Sequence, residues 1–257
     1  MTQNASDPNT LVEVRGLSKQ FAGFSAVKGV DLSIQRGHIH ALIGPNGAGK
    51  TTCFNLLTKV LEPTSGRIYF KGRDITQMSP ASVARLGMVR SFQISAIFPT
   101  LTVLDNIRVA LQRTHGGTYH FWRSDKALAS LTEPAMALLT DVGLQEAADT
   151  VAGELSYGRK RALEIATTLA LDPEMLLLDE PTSGMGLEDV SATAQLIRRV
   201  SRTRTILMVE HNLGVVADLA DRITVLVGGE VLVEGSYEKV SQDERVMAAY
   251  IGRKVPS

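Results

Sequence analysis

Apolar residues are spaced differently in successive parts of the chain. The first part contains three short β-like runs, LVEVRGL, AVKGVDLSI and HIHALIG, the last of which ends at Gly44. A helix pattern follows from Lys50 to about Leu61, and after the turn EPTSG the segment RIYFKG is again typical of a strand. Because short, partly alternating runs with brief connections favour hairpins, we predict an antiparallel β region at the start of the chain.

Two other spacings dominate the rest of the chain. Residues 95–155 contain helical patterns at about 103–112 and 126–142, separated by the aromatic loop RTHGGTYHFWRSD. After Ser156 a helix runs to about Leu171. The strands EMLLLDE, TILMVEH and RITVLV then follow, with the helices LEDVSATAQLIRRV and LGVVADLA between them. Apolar strands that alternate with helices predict a parallel sheet covered on both faces.

These patterns predict one α/β domain with two additions. We expect a flexible N-terminus at residues 1–10 and a single domain at 11–257. Within that domain, an antiparallel β subdomain stands at the start and a helical subdomain is inserted at about 95–155.

Composition narrows the class of protein. The 257 residues carry 27 basic and 27 acidic side chains, so no bulk charge points to nucleic acid or to an anionic membrane. The single cysteine, Cys53, excludes an internal disulfide and a multi-cysteine metal site. The polar start has no signal-peptide core, and no apolar run approaches the ~20 residues that span a bilayer. We therefore expect a chain that is soluble by itself.

The segment GPNGAGKTT carries the strongest chemical signal. It matches the phosphate-binding pattern G-x-x-x-x-G-K-[ST] and stands between an apolar strand and an amphipathic helix, which disfavours a mere glycine turn. Glycines let backbone N–H groups surround phosphate oxygens, the lysine adds positive charge, and the threonine hydroxyl can ligate Mg²⁺. The predicted nucleotide-binding residues are Gly44, Pro45, Asn46, Gly47, Ala48, Gly49, Lys50, Thr51 and Thr52. Thr52 either contacts the α-phosphate or caps the helix.

Two acids follow the buried strand in EMLLLDEP. Ligands of open α/β sheets bind outside the carboxyl ends of the strands, where Asp179 and Glu180 are expected. Asp179 would hold Mg²⁺ through its water shell, and Glu180 would act as general base on the attacking water. Beside a phosphate-binding loop, this interpretation is favoured over two solvated acids at a strand end.

Gln93 and His211 are weaker candidates. Gln93 closes the short apolar run MVRSFQ, and His211 closes the strand TILMVEH. Taken alone, each is more typical of a loop or strand terminus than of a site. Their expected position at the same crevice makes them candidates for contact with the metal shell and the water.

The stretch GELSYGRKRALEIA places Arg159, Lys160 and Arg161 at the start of a predicted helix. Positive charge there opposes the helix dipole. Either these side chains point into water, or an anion docks at this helix end.

The order of these motifs resembles the nucleotide-binding subunit of an ATP-binding cassette (ABC) transporter, over about residues 11–251. The resemblance implies ATP and Mg²⁺ as cofactors, Walker A at 44–52 and Walker B at 175–179. It makes Glu180, His211 and Gln93 catalytic, with Thr51, Gln93 and Asp179 as metal-side residues. An aromatic residue that stacks on adenine would be Phe21, with Phe24 as a competitor.

The resemblance also implies partners. Two cassettes, identical or different, pair head to tail, so Ser156 and Gly158 of one face the γ-phosphate bound to the other. Membrane permease subunits would contact the helical subdomain and the segment after Gln93, which places the chain at the cytoplasmic face of the membrane. A periplasmic or extracellular solute-binding protein takes part indirectly, and no nucleic acid is expected.

Two segments depart from the usual family sequences. The signature reads LSYGR instead of L-S-G-G-Q, and together with RSFQ and AAYIG it is similar to subunits of branched-chain amino acid and amide importers. In SGMG, Gly186 replaces the usual D-loop carboxylate, so no side-chain contact to the opposite Walker A loop is expected. Alternatives are a cassette for urea, for aromatic acids or for export, and a soluble ABC ATPase without a transport role.

Overall fold

The computed structural model describes residues 7–91, 97–114 and 130–251. The elements of the first half are β1 (Thr10–Phe21), β2 (Phe24–Gln35), β3 (Ile39–Ile43), α1 (Lys50–Leu57), β4 (Ser65–Phe70), β5 (Arg73–Asp74), α2 (Pro80–Arg85), β6 (Met88–Ser91) and α3 (Val103–Thr114). Those of the second half are α4 (Thr132–Val142), α5 (Tyr157–Leu169), β7 (Met175–Asp179), α6 (Leu187–Ser201), β8 (Thr205–Val209), α7 (Leu213–Leu219), β9 (Arg222–Val227), β10 (Glu230–Gly235), α8 (Tyr237–Ser241) and α9 (Glu244–Ile251). Two 3₁₀ turns, Gln145–Ala147 and Ala152–Glu154, lead from α4 to α5.

The strands form two sheets. The first has the order β2-β1-β4-β5 and is antiparallel throughout. Its β1–β2 hairpin closes at Ala22 and Gly23, whose φ angles of 37° and 90° suit the right-handed twist of a tight hairpin. The second has the order β10-β9-β3-β8-β7-β6, and all neighbours are parallel except the β9–β10 pair.

Burial explains why β3, β7 and β8 are continuous apolar runs. Every residue of these three strands is buried, as expected for parallel strands covered on both faces. Alternate side chains enter two cores. Ala41 and Ile43 lie in the core that also contains α3, α4 and α5, whereas Leu42 packs with Phe54 and the antiparallel sheet. The carboxyl ends of β3, β7 and β8 therefore meet at one edge, between the two cores.

The predicted fold class is confirmed, and several element boundaries shift. Helix α1 ends at Leu57 instead of about Leu61, because Lys59 takes a left-handed φ of 61°. The described part of the second middle helix begins at Thr132. Strand β10 and helices α8 and α9 were not predicted. Among the described residues, none of the helices combines the length and apolar character that a bilayer span requires.

Candidate functional site

The glycine-rich motif forms the loop between β3 and α1. Gly44, Gly47 and Gly49 have φ angles of 151°, 78° and 96°, which residues with side chains rarely adopt. Two of them also leave no space for a side chain. A Cβ on Gly44 would lie 2.1 Å from the carbonyl oxygen of Leu226, and one on Gly49 would lie 2.4 Å from that of Ala26. The loop is therefore seated on the backbone of β9 and β2.

Lys50, the first residue of α1, is buried beneath this loop. Its Nζ donates hydrogen bonds to the carbonyl oxygens of Gly44 at 2.7 Å and Pro45 at 3.0 Å. Burial lowers the pKa of Lys50, and the charges of Glu180 and Asp179 oppose that shift. The two acids thus lie near enough to the lysine to act on its charge.

The two threonines of the motif differ in exposure. Thr51 is exposed and Thr52 is half-buried. The N-cap of α1 is Gly49, which has no side chain to bond to the first turn. Thr52 is therefore not the N-cap residue, and its contact with the α-phosphate stays a prediction.

Asp179, the last residue of β7, is buried and held on two sides. Its Oδ2 accepts a hydrogen bond of 2.5 Å from Arg90 of β6, whose guanidinium also donates to Asn55 Oδ1 at 2.7 Å and lies 5.0 Å from the ring centre of Phe54. Its backbone carbonyl accepts a bond of 3.1 Å from Arg161. Arg90 was not among the predicted site residues, although a cation inside the apolar run MVRSFQ is the signal that could have found it.

Glu180 and His211 approach each other at the edge of the sheet. Glu180 has a φ of 45°, an uncommon value for a residue with a side chain, and its N–H donates to the carbonyl of Val209 at 2.9 Å. His211 Nδ1 lies 3.9 Å from Glu180 Oε2, which is too long for a hydrogen bond. The histidine does not close a strand as predicted, because β8 ends at Val209.

Glu210, between β8 and His211, is fully buried. Its Oε1 accepts from the N–H and the hydroxyl of Thr182 at 3.0 and 2.5 Å. Its Oε2 accepts from the N–H groups of His211 and Asn212 at 2.9 and 3.1 Å. Glu210 was not predicted either, although an acid directly after a fully buried strand was visible in TILMVEH.

The basic residues at the start of α5 have three different environments. Ser156 is the N-cap, and its side chain accepts from the N–H of Arg159. Arg159 is exposed and Lys160 is half-buried. Arg161 is buried, where it pairs with Glu164 at 2.7 Å and reaches the carbonyl of Asp179. Arg161 is therefore neither solvated nor available to an external anion, because its guanidinium joins α5 to the end of β7.

The sequence model of the ABC transporter family matches residues 27–183. The chain belongs to the ABC transporter family. BraF of Pseudomonas aeruginosa, a high-affinity branched-chain amino acid transport ATP-binding protein, is 36% identical over 253 residues, which cover 94% of this chain and 98% of BraF. The chain is therefore an ATP-binding and ATP-hydrolysing subunit of the ABC type.

Solved ABC cassettes share the fold. MJ1267, an ATP-binding cassette of an ABC transporter seen in its ADP conformation, has a TM-score of 0.83 at 29% identity, covering 95% of this chain and 99% of that one. MJ0796, a bacterial ABC transporter cassette with a dimeric structure, has a TM-score of 0.71 at 25% identity, covering 88% and 99%. These likenesses confirm the predicted cassette fold.

The ABC signature has close contacts with helix α6 and with the D-loop of the same chain. A Cβ on Gly158 would lie 2.4 Å from Asp189 Oδ1, so the glycine lets α6 approach α5. The Tyr157 hydroxyl lies 3.4 Å from the carbonyl oxygen of Ser183. Tyr157 and Leu187 are 60% and 90% exposed, which places two apolar side chains on this surface of the cassette.

The aromatic candidates lie at the tip of the β1–β2 hairpin. Phe21 and Phe24 are paired across the two strands and are both exposed. Ala26, two residues after Phe24, is the residue whose carbonyl contacts Gly49. The tip therefore adjoins the Walker A loop, and stacking of one of these rings on adenine stays a prediction.

Two further sequence-level candidates have different outcomes. Gln93 lies outside the described residues.

Cys53 is completely buried in α1, and burial raises the pKa of its thiol to about 12, so it is a packing residue rather than a nucleophile.

The available ligand atoms suit Mg²⁺. Within residues 7–91, 97–114 and 130–251, no cluster of three or more His, Cys, Asp or Glu could enclose a metal ion. Thr51 offers an exposed hydroxyl at the Walker A loop, and Asp179 offers a carboxylate at the end of β7. Mg²⁺ prefers oxygen ligands and keeps several waters beside nucleotide phosphates, so it does not need an all-protein cage.

Proposed function

We propose that this chain is the ATP-hydrolysing subunit of an importer for branched-chain amino acids. The observation that carries the proposal is the end-to-end likeness to BraF, 36% identical over 94% of this chain. The LSYGR signature, which departs from the usual L-S-G-G-Q of the family, supports the same subclass. Related amides are the next class of solute to test.

Nucleotide binding is assigned to the Walker A loop. The backbone N–H groups of residues 44–52 would surround the β- and γ-phosphates, and Lys50 lies under the loop with its charge directed at the same place. Either Phe21 or Phe24 would stack on the base. Thr51 and Asp179 would hold Mg²⁺, together with Gln93, and the ion would neutralise charge on the transferred phosphate.

Hydrolysis is assigned to the acids and the histidine at the ends of β7 and β8. Glu180 is half-exposed, as a base that takes a proton from water must be. His211, 3.9 Å from Glu180 and 58% exposed, would contact a phosphate oxygen and the same water. Asp179 is unsuited to be the base because it is buried and paired with Arg90.

A second cassette would complete the site. Ser156 and Gly158 stand at the N-terminus of α5, where backbone N–H groups and the helix dipole favour an anion. Exposed Tyr157 and Leu187 supply apolar area on the same surface for a partner. We therefore place the γ-phosphate of the partner's ATP at Ser156, in a homodimer or a heterodimer.

The proposed location is the cytoplasmic face of the membrane, through permease subunits. A solute-binding protein would act on the cassette only through those permeases. The balanced charge of the chain gives no reason to propose a nucleic-acid partner.

The deciding experiment is ATP hydrolysis by the assembled transporter. The chain would be expressed with the permease and solute-binding genes nearest to its own, and the complex would be placed in proteoliposomes. We expect leucine, isoleucine or valine with the binding protein to stimulate hydrolysis severalfold and to enter the vesicles. If only urea, amides or aromatic acids stimulate hydrolysis, that class of solute would take the place of branched-chain amino acids in the proposal. Outward movement would overturn import, and failure to copurify with any permease would overturn the transport role.

A further inference from the structure

The buried carboxylate of Glu210 connects the two loops that carry the proposed hydrolytic residues. One oxygen accepts both hydrogen bonds from Thr182, two residues after Glu180. The other accepts the N–H groups of His211 and Asn212. Both oxygens are thus engaged, each toward a different loop.

The parallel pairing of β7 with β8 ends at Asp179 and Val209, directly before the two loops begin. Glu180 donates its N–H to Val209, which fixes its backbone beside β8. The side chains of Glu180 and His211 are 3.9 Å apart at Oε2 and Nδ1, so they do not hold one another by a hydrogen bond. Asn212, the next residue, caps α7 through Gly214 and Val215. The carboxylate of Glu210 therefore also secures the start of that helix.

We propose that Glu210 is a positioning residue of the hydrolytic site. It holds the loop after β7 and the loop after β8 at one separation, so that Glu180 and His211 face the same water. The inference rests on the proposed roles of Glu180 and His211, and it assigns Glu210 no contact with the nucleotide.

The choice of a carboxylate at this buried position supports a specific role. Burying a negative charge is costly unless hydrogen bonds replace its hydration. Its four donors in the described structure are three backbone N–H groups and one hydroxyl, all of them neutral. A glutamine has only one acceptor oxygen, and its NH₂ group would face donors of the same kind. Only a carboxylate can satisfy both loops at once.

The test compares variants of Glu210 and Thr182 with a matched control. Glu210→Gln removes one of the two acceptor oxygens and so the hydrogen bonds to one loop. Thr182→Val removes only the hydrogen bond from the threonine hydroxyl, and Thr182→Ser retains it. The control is Glu234→Gln, because Glu234 likewise accepts from a threonine hydroxyl, that of Thr224 at 2.8 Å. Glu234 lies near the amino end of β9, away from the nucleotide edge.

Each variant is assayed for kcat, for ATP affinity by titration, and for backbone amide exchange without nucleotide. For Glu210→Gln we expect kcat to fall about 10–100-fold, ATP affinity to stay within about threefold, and the amides of Thr182, His211 and Asn212 to exchange at least tenfold faster. Thr182→Val should lose about three- to tenfold in kcat, with Thr182→Ser and Glu234→Gln near wild type.

Three results would overturn the proposal. These are a kcat within threefold of wild type for Glu210→Gln, unchanged amide exchange at the three positions, or equal losses of kcat and ATP affinity that follow reduced thermal stability. If Glu210→Gln does not fold, Thr182→Val and its serine rescue decide the question. Active Glu180→Gln and His211→Ala variants would instead refute the proposed hydrolytic roles, independently of the exchange measurement.

Discussion

The phosphate-binding loop and the loops after β7 and β8 face each other, but main-chain contacts hold the first and side-chain contacts hold the others. The Walker A loop depends on backbone, with glycines seated against the carbonyls of Leu226 and Ala26. The opposite side depends on charged side chains at the ends of the strands, where Arg90 holds the buried Asp179 and the buried Glu210 joins two loops. Substitutions on the first side should therefore act mainly on binding, and those on the second mainly on turnover and stability.

Glu180→Gln should produce the largest effect, and it should act on kcat without changing nucleotide binding. The amide cannot accept the proton of water, so we expect kcat to fall about 10²–10⁴-fold while ATP affinity changes less than threefold. Steady-state hydrolysis and nucleotide titration of the same preparation measure both. Turnover within threefold of wild type would remove Glu180 as the base.

Arg90→Met tests whether the charged network of the turnover side supports the fold. It leaves the carboxylate of Asp179 buried without its cation, which should reduce the free energy of unfolding by about 3–5 kcal/mol in urea. Arg198→Met, which breaks the exposed pair with Asp218, is the control and should change it by less than about 1 kcal/mol. Equal effects of the two substitutions would contradict the distinction.

His40, the second residue of β3, lies beside Arg222 at the end of the strand away from the nucleotide edge, and it gives the stability of the fold a pH dependence. Burial lowers its pKa from 6.5 to about 4, with Glu234 opposing and Arg222 and His38 adding to the shift. The unfolded chain therefore binds a proton that the native chain excludes. The contribution of neutral His40 to the free energy of unfolding is complete above pH 6.5 and is lost as the pH falls toward 4.

The corresponding measurement compares wild type with His40→Gln at two pH values. Between pH 7 and pH 5, the free energy of unfolding of wild type should fall by about 2 kcal/mol more than that of the variant. Identical slopes for the two proteins would rule out this role of His40.

Lys50→Ala should weaken binding through the side chain that the backbone loop surrounds. Loss of a charge-assisted hydrogen bond of about 1.5–3 kcal/mol predicts a dissociation constant for ATP about 10–150-fold higher. Lys239→Ala, whose Nζ bonds to the carbonyl of Glu234, serves as the control. Unchanged ATP affinity in a titration would remove Lys50 from the site.

Phe21→Ala and Phe24→Ala should give the smallest effects and should differ from each other. The ring that stacks on adenine contributes about 0.5–1.5 kcal/mol, or roughly a 2- to 12-fold change in ATP affinity. Inorganic triphosphate, which has no base, should bind equally to both variants. Equal ATP affinities for both variants and wild type would show that neither ring stacks.

The Walker A loop was predictable from sequence, whereas the contacts around the ends of β7 and β8 were predictable only in part. Walker A occupies nine consecutive residues, so one segment contains its whole pattern. The contacts of Arg90 with Asp179 and of Thr182 with Glu210 join residues 89 and 28 positions apart. No periodicity predicts which distant cation meets which acid. The buried position of Arg161 was hidden likewise, since its partner Asp179 lies on another element.

The backbone of Glu180 has a consequence for how this chain balances folding against chemistry. A residue with a side chain at a φ of 45° is strained, typically by 1–3 kcal/mol, and glycine at such a position relieves the strain. A variant with glycine there would lack the proposed base and should be more stable than the wild-type chain. The proposed base thus stands at a position whose backbone favours glycine, where selection for stability alone would act against the proposed activity.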